Sequence, residues 1–134
     1  MRTMTLAQAI EITGKDVYDY LDRSADIPTV GADGGMQGDV SILPVTASPA
    51  TTPMPRTGIV VIEGETGHTH SLHGDGFFDR TSSRDGLAVG TLTVPGGVDV
   101  LMSHQEHGAL LIAPGTYRIG RQREFAGEWR RVAD

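Results

Sequence analysis

From Gly38 onward the chain is a succession of short strand-like runs broken by turn residues, a rhythm that permits a β fold and little else. Val40, Ile42 and Pro44 alternate with Ser41, Leu43 and Val45, the period of a half-buried strand. Gly58 to Glu63 is a β-branched run short enough for a buried strand. Residues 68–72 continue extended before Asp75-Gly76 turns into Phe77-Phe78. Ala88 to Val94 and Val98 to Met102 flank Pro95-Gly96-Gly97, a hairpin signal. Ala109 to Ala113 and Thr116 to Arg121 flank Pro114-Gly115, and a tail from Glu124 to Ala133 holds the only Trp, Trp129. Roughly six to eight strands follow, none separated by a convincing helix. The 18 Gly and seven Pro, with only 5% aromatic residues, agree with that pattern. The expected fold is mainly β, a small antiparallel β-barrel or sandwich with a short helical N-terminal arm.

Residues 1–37 form the arm and a Gly-rich linker, and 38–134 the β-barrel domain. Within the arm, 4–24 reads as interrupted helix. Thr5 is placed to cap a first segment in which Leu6, Ala9 and Ile10 share a face, and Gly14 to stop it. Lys15 to Arg23 then resumes with Val17, Tyr20 and Leu21 on one side. Helix, Gly turn, helix is also the outline of a DNA-reading motif, but the second segment would present Asp16, Asp19 and Asp22 to phosphates. A docking arm that buries Leu6, Ile10, Val17, Tyr20 and Leu21 on its own barrel or on a neighbour is the better expectation. Residues 25–37 lack periodicity, and the Pro/Thr-rich stretch 46–57 is expected to be extended and exposed.

The net charge of −6 argues against a general affinity for nucleic acid. Arg118, Arg121 and Arg123 beside Tyr117 and Phe125 could make a local nucleic-acid strip, although arginines at a barrel edge more often pair with acids such as Glu124 and Glu128. No run is long enough to span a membrane, and the first residues do not read as a secretory signal. The expected setting is cytoplasmic, or a virion if the gene is phage-borne, and the expected partner is the chain itself or a larger protein assembly. With no Cys, any metal must be held by His, carboxylate and water.

All five histidines lie between residues 68 and 107, in Gly67-His68-Thr69-His70-Ser71-Leu72-His73 and His104-Gln105-Glu106-His107. Imidazole is the side chain best suited to bind a transition metal or move a proton near neutral pH. In a strand, His68 and His70 share a face, roughly 7 Å apart along the backbone. His104 shares a face with Glu106 if the second group is extended, or with His107 if it forms a helical turn. The candidate metal ligands are therefore His68, His70, His104 and His107, with Glu106 as ligand or supporting base. One divalent transition metal (Zn, Mn or Fe) is the expected cofactor, and a hydrogen-bonded polar cluster without metal is the alternative. His73, beside Gly74-Asp75-Gly76, is placed in a turn outside the site. Ser71 and Ser103 each neighbour a histidine, but adjacent strand residues point apart, so no catalytic triad is implied. Ligands alone do not make an enzyme, and binding is expected over catalysis.

Three segments together resemble a family of small uncharacterised proteins in bacteria and tailed phages of actinobacteria. These are Gln37-Gly38-Asp39-Val40 with Pro44-Val45, then Glu63-Gly64-Glu65-Thr66-Gly67-His68-Thr69-His70, then His104-Gln105-Glu106-His107 leading to Pro114-Gly115-Thr116-Tyr117-Arg118 and Arg121-Gln122-Arg123-Glu124. The resemblance covers residues 36–134 and implies a phage or actinobacterial setting; a virion structural protein, decorating or stabilising a capsid, is the second functional expectation. More loosely, Gly64 to His70 is similar to the first half of the cupin pattern, whose barrels bind metal through His-x-His and a later His. Here no glutamate stands within a few residues after the pair, Asp75 being the nearest acid, and the second histidine group precedes the Pro114-Gly115 turn.

Overall fold

A computed structural model describes residues 3–64, 67–125 and 129–131, with side chains as far as Gln122. One helix, α1 (Leu6–Thr13), precedes strands β1 (Thr29–Val30), β2 (Gly35–Gln37), β3 (Val40–Pro44), β4 (Ile59–Glu63), β5 (Thr69–His73) and β6 (Phe77–Arg80). There follow β7 (Ala88–Val94), β8 (Val100–His104), β9 (Gly108–Ile112), β10 (Gly115–Arg121), β11 (Arg123–Phe125) and β12 (Trp129–Arg131). Two five-stranded sheets, ordered β1-β9-β8-β5-β4 and β2-β3-β10-β7-β6, pack as a sandwich and do not close into a barrel. β11 and β12 make a separate two-stranded ribbon. The remaining tail residues, 126–128 and 132–134, and the side chains of Arg123, Phe125 and Trp129 lie outside the described residues.

Strand alternation builds the core between the sheets. Leu72 of β5, Met102 and Val100 of β8, and Leu110 and Ile112 of β9 meet Val40, Ile42, Leu92, Val94, Tyr117 and Ile119 of the second sheet, all buried. The opposite face of the first sheet is apolar too: Leu101, Ala109 and Leu111 point away from the sandwich. Met4, Leu6, Ala9, Val17 and Ile27 cover them, with Ile10 and Leu21 packed alongside. The arm is thus a third layer, seated on its own sheet. Of the five residues expected to dock, Leu6 and Val17 are buried there and Ile10 and Leu21 are partly buried, whereas Tyr20 is 69% exposed.

The expected helix breaks as the caps require. Thr5 and Gln8 form a capping box, and Gly14 ends α1 in the left-handed region at φ 67°. The second helical segment does not form. The Asp16 carboxylate accepts from Val17 N, Tyr18 N donates to the Gln105 carbonyl, and Asp22 bonds Ser24, so local side chains and the sheet take the backbone groups a helix would use. The unpaired N–H groups of the first turn are met from the same segment, Leu6 N to Ala25 O and Ala7 N to Arg23 O.

Residues 25–37 are likewise more ordered than their composition suggests. β1 adds in parallel to β9, and β2 pairs with β3, burying Gln37. The Pro/Thr-rich stretch is pinned across the second sheet: Ala50 N donates to Thr93 Oγ1, and Thr51 N and Thr52 N donate to the Asp79 carboxylate. Ala50 is buried, although most of its neighbours are exposed. No helix among the described residues is long and apolar enough to cross a membrane.

Candidate functional site

His70 ends the inward face of β5, and His104 the inward face of β8, so both imidazoles close one end of the space between the sheets. They are 0% and 2% exposed. His68 precedes β5, and His107 lies in the β8–β9 turn at the surface. The rings converge: centroids are 4.2 Å apart for His70 and His104, 4.5 Å for His104 and His107, and 5.4 Å for His68 and His104. The four histidines expected to meet from two distant segments therefore do so.

The second sheet supplies members that the histidine pattern did not indicate. The Gln37 side-chain amide donates to the Met102 carbonyl, which fixes its orientation and turns its oxygen toward His70 Nδ1 at 2.9 Å. His70 consequently donates from Nδ1, and its Nε2 faces the buried Asp39 carboxylate at 3.7 Å. On the outer side, His68 Nδ1 lies 3.7 Å from Glu106 Oε2, and His68 Nε2 is in hydrogen-bond contact with the Tyr18 hydroxyl of the arm. The only hint of Gln37 and Asp39 in the sequence was their place in the Gln37-Gly38-Asp39-Val40 segment. Nothing in the sequence pointed to Tyr18 as a site residue.

His104 has a different task. Its Nδ1 accepts from the backbone N–H groups of Glu106 and His107 at 3.1 and 3.2 Å, so the neutral ring carries its proton on Nε2. A ring fixed this way organises the turn that presents Glu106 and His107, and has no lone pair left for a metal. Gln105 ties the same turn to its neighbours. Its side-chain oxygen accepts from Thr69 N, and its carbonyl accepts from Tyr18 N. A cavity of about 140 Å³ lies beside it, under the arm, lined by Lys15, Asp16, Thr69, Ser103, His104 and Gln105.

His73 is not in a turn. It ends β5 on the outward face, 5% exposed, with Nε2 3.2 Å from Ser103 Oγ. Burial, with a smaller contribution from Lys15, holds its pKa below the ordinary value. It sits outside the four-histidine group, as expected, although for a different reason. Among the described residues no three His, Asp or Glu side chains are already arranged to hold a metal ion. Arg118 is exposed and Arg121 half-buried, while the side chains of Arg123 and Phe125 lie outside the described residues.

Fold and site together define a small β-sandwich with a histidine–carboxylate centre at one end and an arm closing over it. The chain belongs to the family described as "Domain of unknown function (DUF8820)", whose model matches residues 36–122, about two thirds of the chain. The match takes in both histidine groups, Gln37 and Asp39, and leaves out the arm with Tyr18. No curated protein and no solved structure matches the chain.

Proposed function

We propose that the histidine centre binds one divalent transition metal, Zn, Mn or Fe, in a binding and not a catalytic role. The pairing of His70 with Asp39 carries the reading. With Nδ1 committed to Gln37 as a donor, His70 turns Nε2 toward the buried Asp39 carboxylate, which sets a nitrogen and an oxygen ligand side by side. A cation held between them would be bound by both. Two ligands of a tetrahedral ion stand about 3.4 Å apart, a few tenths of an ångström from the separation here. Gln37 then acts as the outer partner that orients a metal-bound imidazole. Glu106 stands in the same relation to His68, at the nitrogen opposite Tyr18. The surface histidine His107 completes the set by rotation, with His104 holding its turn.

Metal analysis of the purified full chain tests this. Roughly one ion per chain is expected after growth with Zn, Mn and Fe, falling to background in H70A and D39N. Sub-stoichiometric metal in the wild type would leave the second reading, a polar centre in which a proton sits between His70 and Asp39. The use of His104 Nδ1 by the backbone favours that alternative. A virion role through the arm would require the arm to leave the sheet that it covers, or to exchange with that of a neighbouring copy.

A further inference from the structure

We propose that the cavity under the arm is a binding site for a small monocarboxylate, received by Lys15. Strand parity builds its floor from hydroxyl groups. Thr69, Ser71 and His73 share the outer face of β5, and Ser71 stands directly opposite Ser103 on β8. Thr69 and Ser103 line the cavity beside Gln105, and Lys15 and Asp16 of the arm stand at its rim. Ser71 is buried, and its hydroxyl has no hydrogen-bond partner among the described residues. Thr69 Oγ1 accepts from Gln105 Nε2 at 3.3 Å, which leaves the threonine proton to give. A neutral His73 can donate from Nε2 to Ser103 Oγ, which leaves the serine proton to give as well. The outer face of the sheet thus turns a row of hydroxyl donors toward the arm.

The charge over that row comes from Lys15. It is the only lysine of the chain, exposed at the rim, and makes no salt bridge among the described residues. The other charged group of the rim, the Asp16 carboxylate, is taken by Arg23 Nη2 at 3.0 Å and by Val17 N. Burial, and then the Lys15 charge, hold the His73 pKa down, so the ammonium is near enough to act on this row. One unmatched cation above hydroxyl donors fits an acceptor-only group with a single negative charge, which is a carboxylate. A doubly charged phosphate would leave one charge unmatched on a chain whose net charge is already −6. The cavity of about 140 Å³ sets the size. A cavity of roughly 150 Å³ holds benzene, so the acid has about six non-hydrogen atoms at most. Because Lys15 belongs to the arm and Thr69 and Ser103 to the sheet, the bound acid ties the two together and stabilises the docked arm.

The test is a titration of the full-length chain with sodium propionate near neutral pH, followed by two-dimensional amide NMR spectra. The expected result is a saturable shift at Lys15, Thr69, Ser103 and Gln105, with a dissociation constant of about 1 mM or below. Affinity should fall roughly tenfold in K15Q and in S103A and stay within about twofold in K15R. Propionamide, which keeps the shape without the charge, should not bind measurably. Lys15 is exposed, so K15Q keeps the test sharp even if S103A disturbs the sheet. K15Q also separates this site from a metal at the histidine centre, which would hold propionate without regard to Lys15. The proposal is overturned by any of four results: no saturable shift with propionate, equal binding of propionamide, wild-type affinity in K15Q, or inorganic phosphate bound more tightly than propionate.

Discussion

At the residue scale four of the five histidines divide by what their ring nitrogens touch. His70 and His68 each have one nitrogen near a carboxylate, His104 spends Nδ1 on two backbone N–H groups, and His73 faces a serine. His73 makes a pH prediction. Burial lowers its folded pKa below the ordinary 6.5. The unfolded chain then takes up a proton near that value, and the folded chain only further down. Below 6.5 the unfolded state binds more protons, so stability is lost as pH falls through this window and is unaffected by this group above it. In H73Q, which keeps a neutral partner for Ser103, the acid slope of the urea midpoint should be shallower than in the wild type. An unchanged slope would remove His73 from the account.

At the element scale, the strand ends that carry the site depend on close backbone approaches. Gly58, at φ +84°, leads into β4 where a Cβ would lie 2.4 Å from His73 Nδ1 and 2.9 Å from the Leu72 carbonyl. G58A is expected to cost about 3 kcal/mol, from left-handed strain plus displacement of a buried ring. Gly96, in the β7–β8 turn, has open space and no positive φ. G96A should stay within about 0.5 kcal/mol. Equal losses for the two in chemical denaturation would show that the crowding is not limiting. β4 is itself an edge strand, and Arg80 donates to the Val60 and Val61 carbonyls at its irregular step, occupying groups open to a foreign strand.

At the scale of the whole molecule the arm is the third layer. The sequence left the arm to dock on its own sheet or on a neighbour. It packs on its own sheet, where Leu101, Ala109 and Leu111 form an apolar outer face covered by Met4, Leu6, Ala9 and Val17 of the arm together with Ile27. Exposing such a face invites association. The chain lacking 1–24 should therefore aggregate or lose cooperative unfolding, checked by size exclusion and thermal melting. A soluble truncation with a sharp transition would show the arm to be an appendage. A milder probe, L6A, should lower stability by about 2–3 kcal/mol, the cost of truncating a buried leucine.

The sequence by itself determined the class of fold, because strand alternation and turn chemistry are local properties: β3, β4, β7, β8, β9 and β10 all lie where alternation and Gly/Pro turns put them. It also determined that His68, His70, His104 and His107 are candidates for one centre, since imidazoles at strand ends are visible as residues. Only the tertiary structure decided which sheet faces which, that Gln37 and Asp39 close the centre from the opposite layer, and that Tyr18 reaches it from the arm. It decided as well that Lys15 to Arg23 is not helix and that His73 is a buried strand end. These outcomes depend on hydrogen-bond partners and apolar surfaces distant in sequence, such as Gln105 for Tyr18 and Leu101 for the arm. A local pattern carries no record of such partners until the layers are packed.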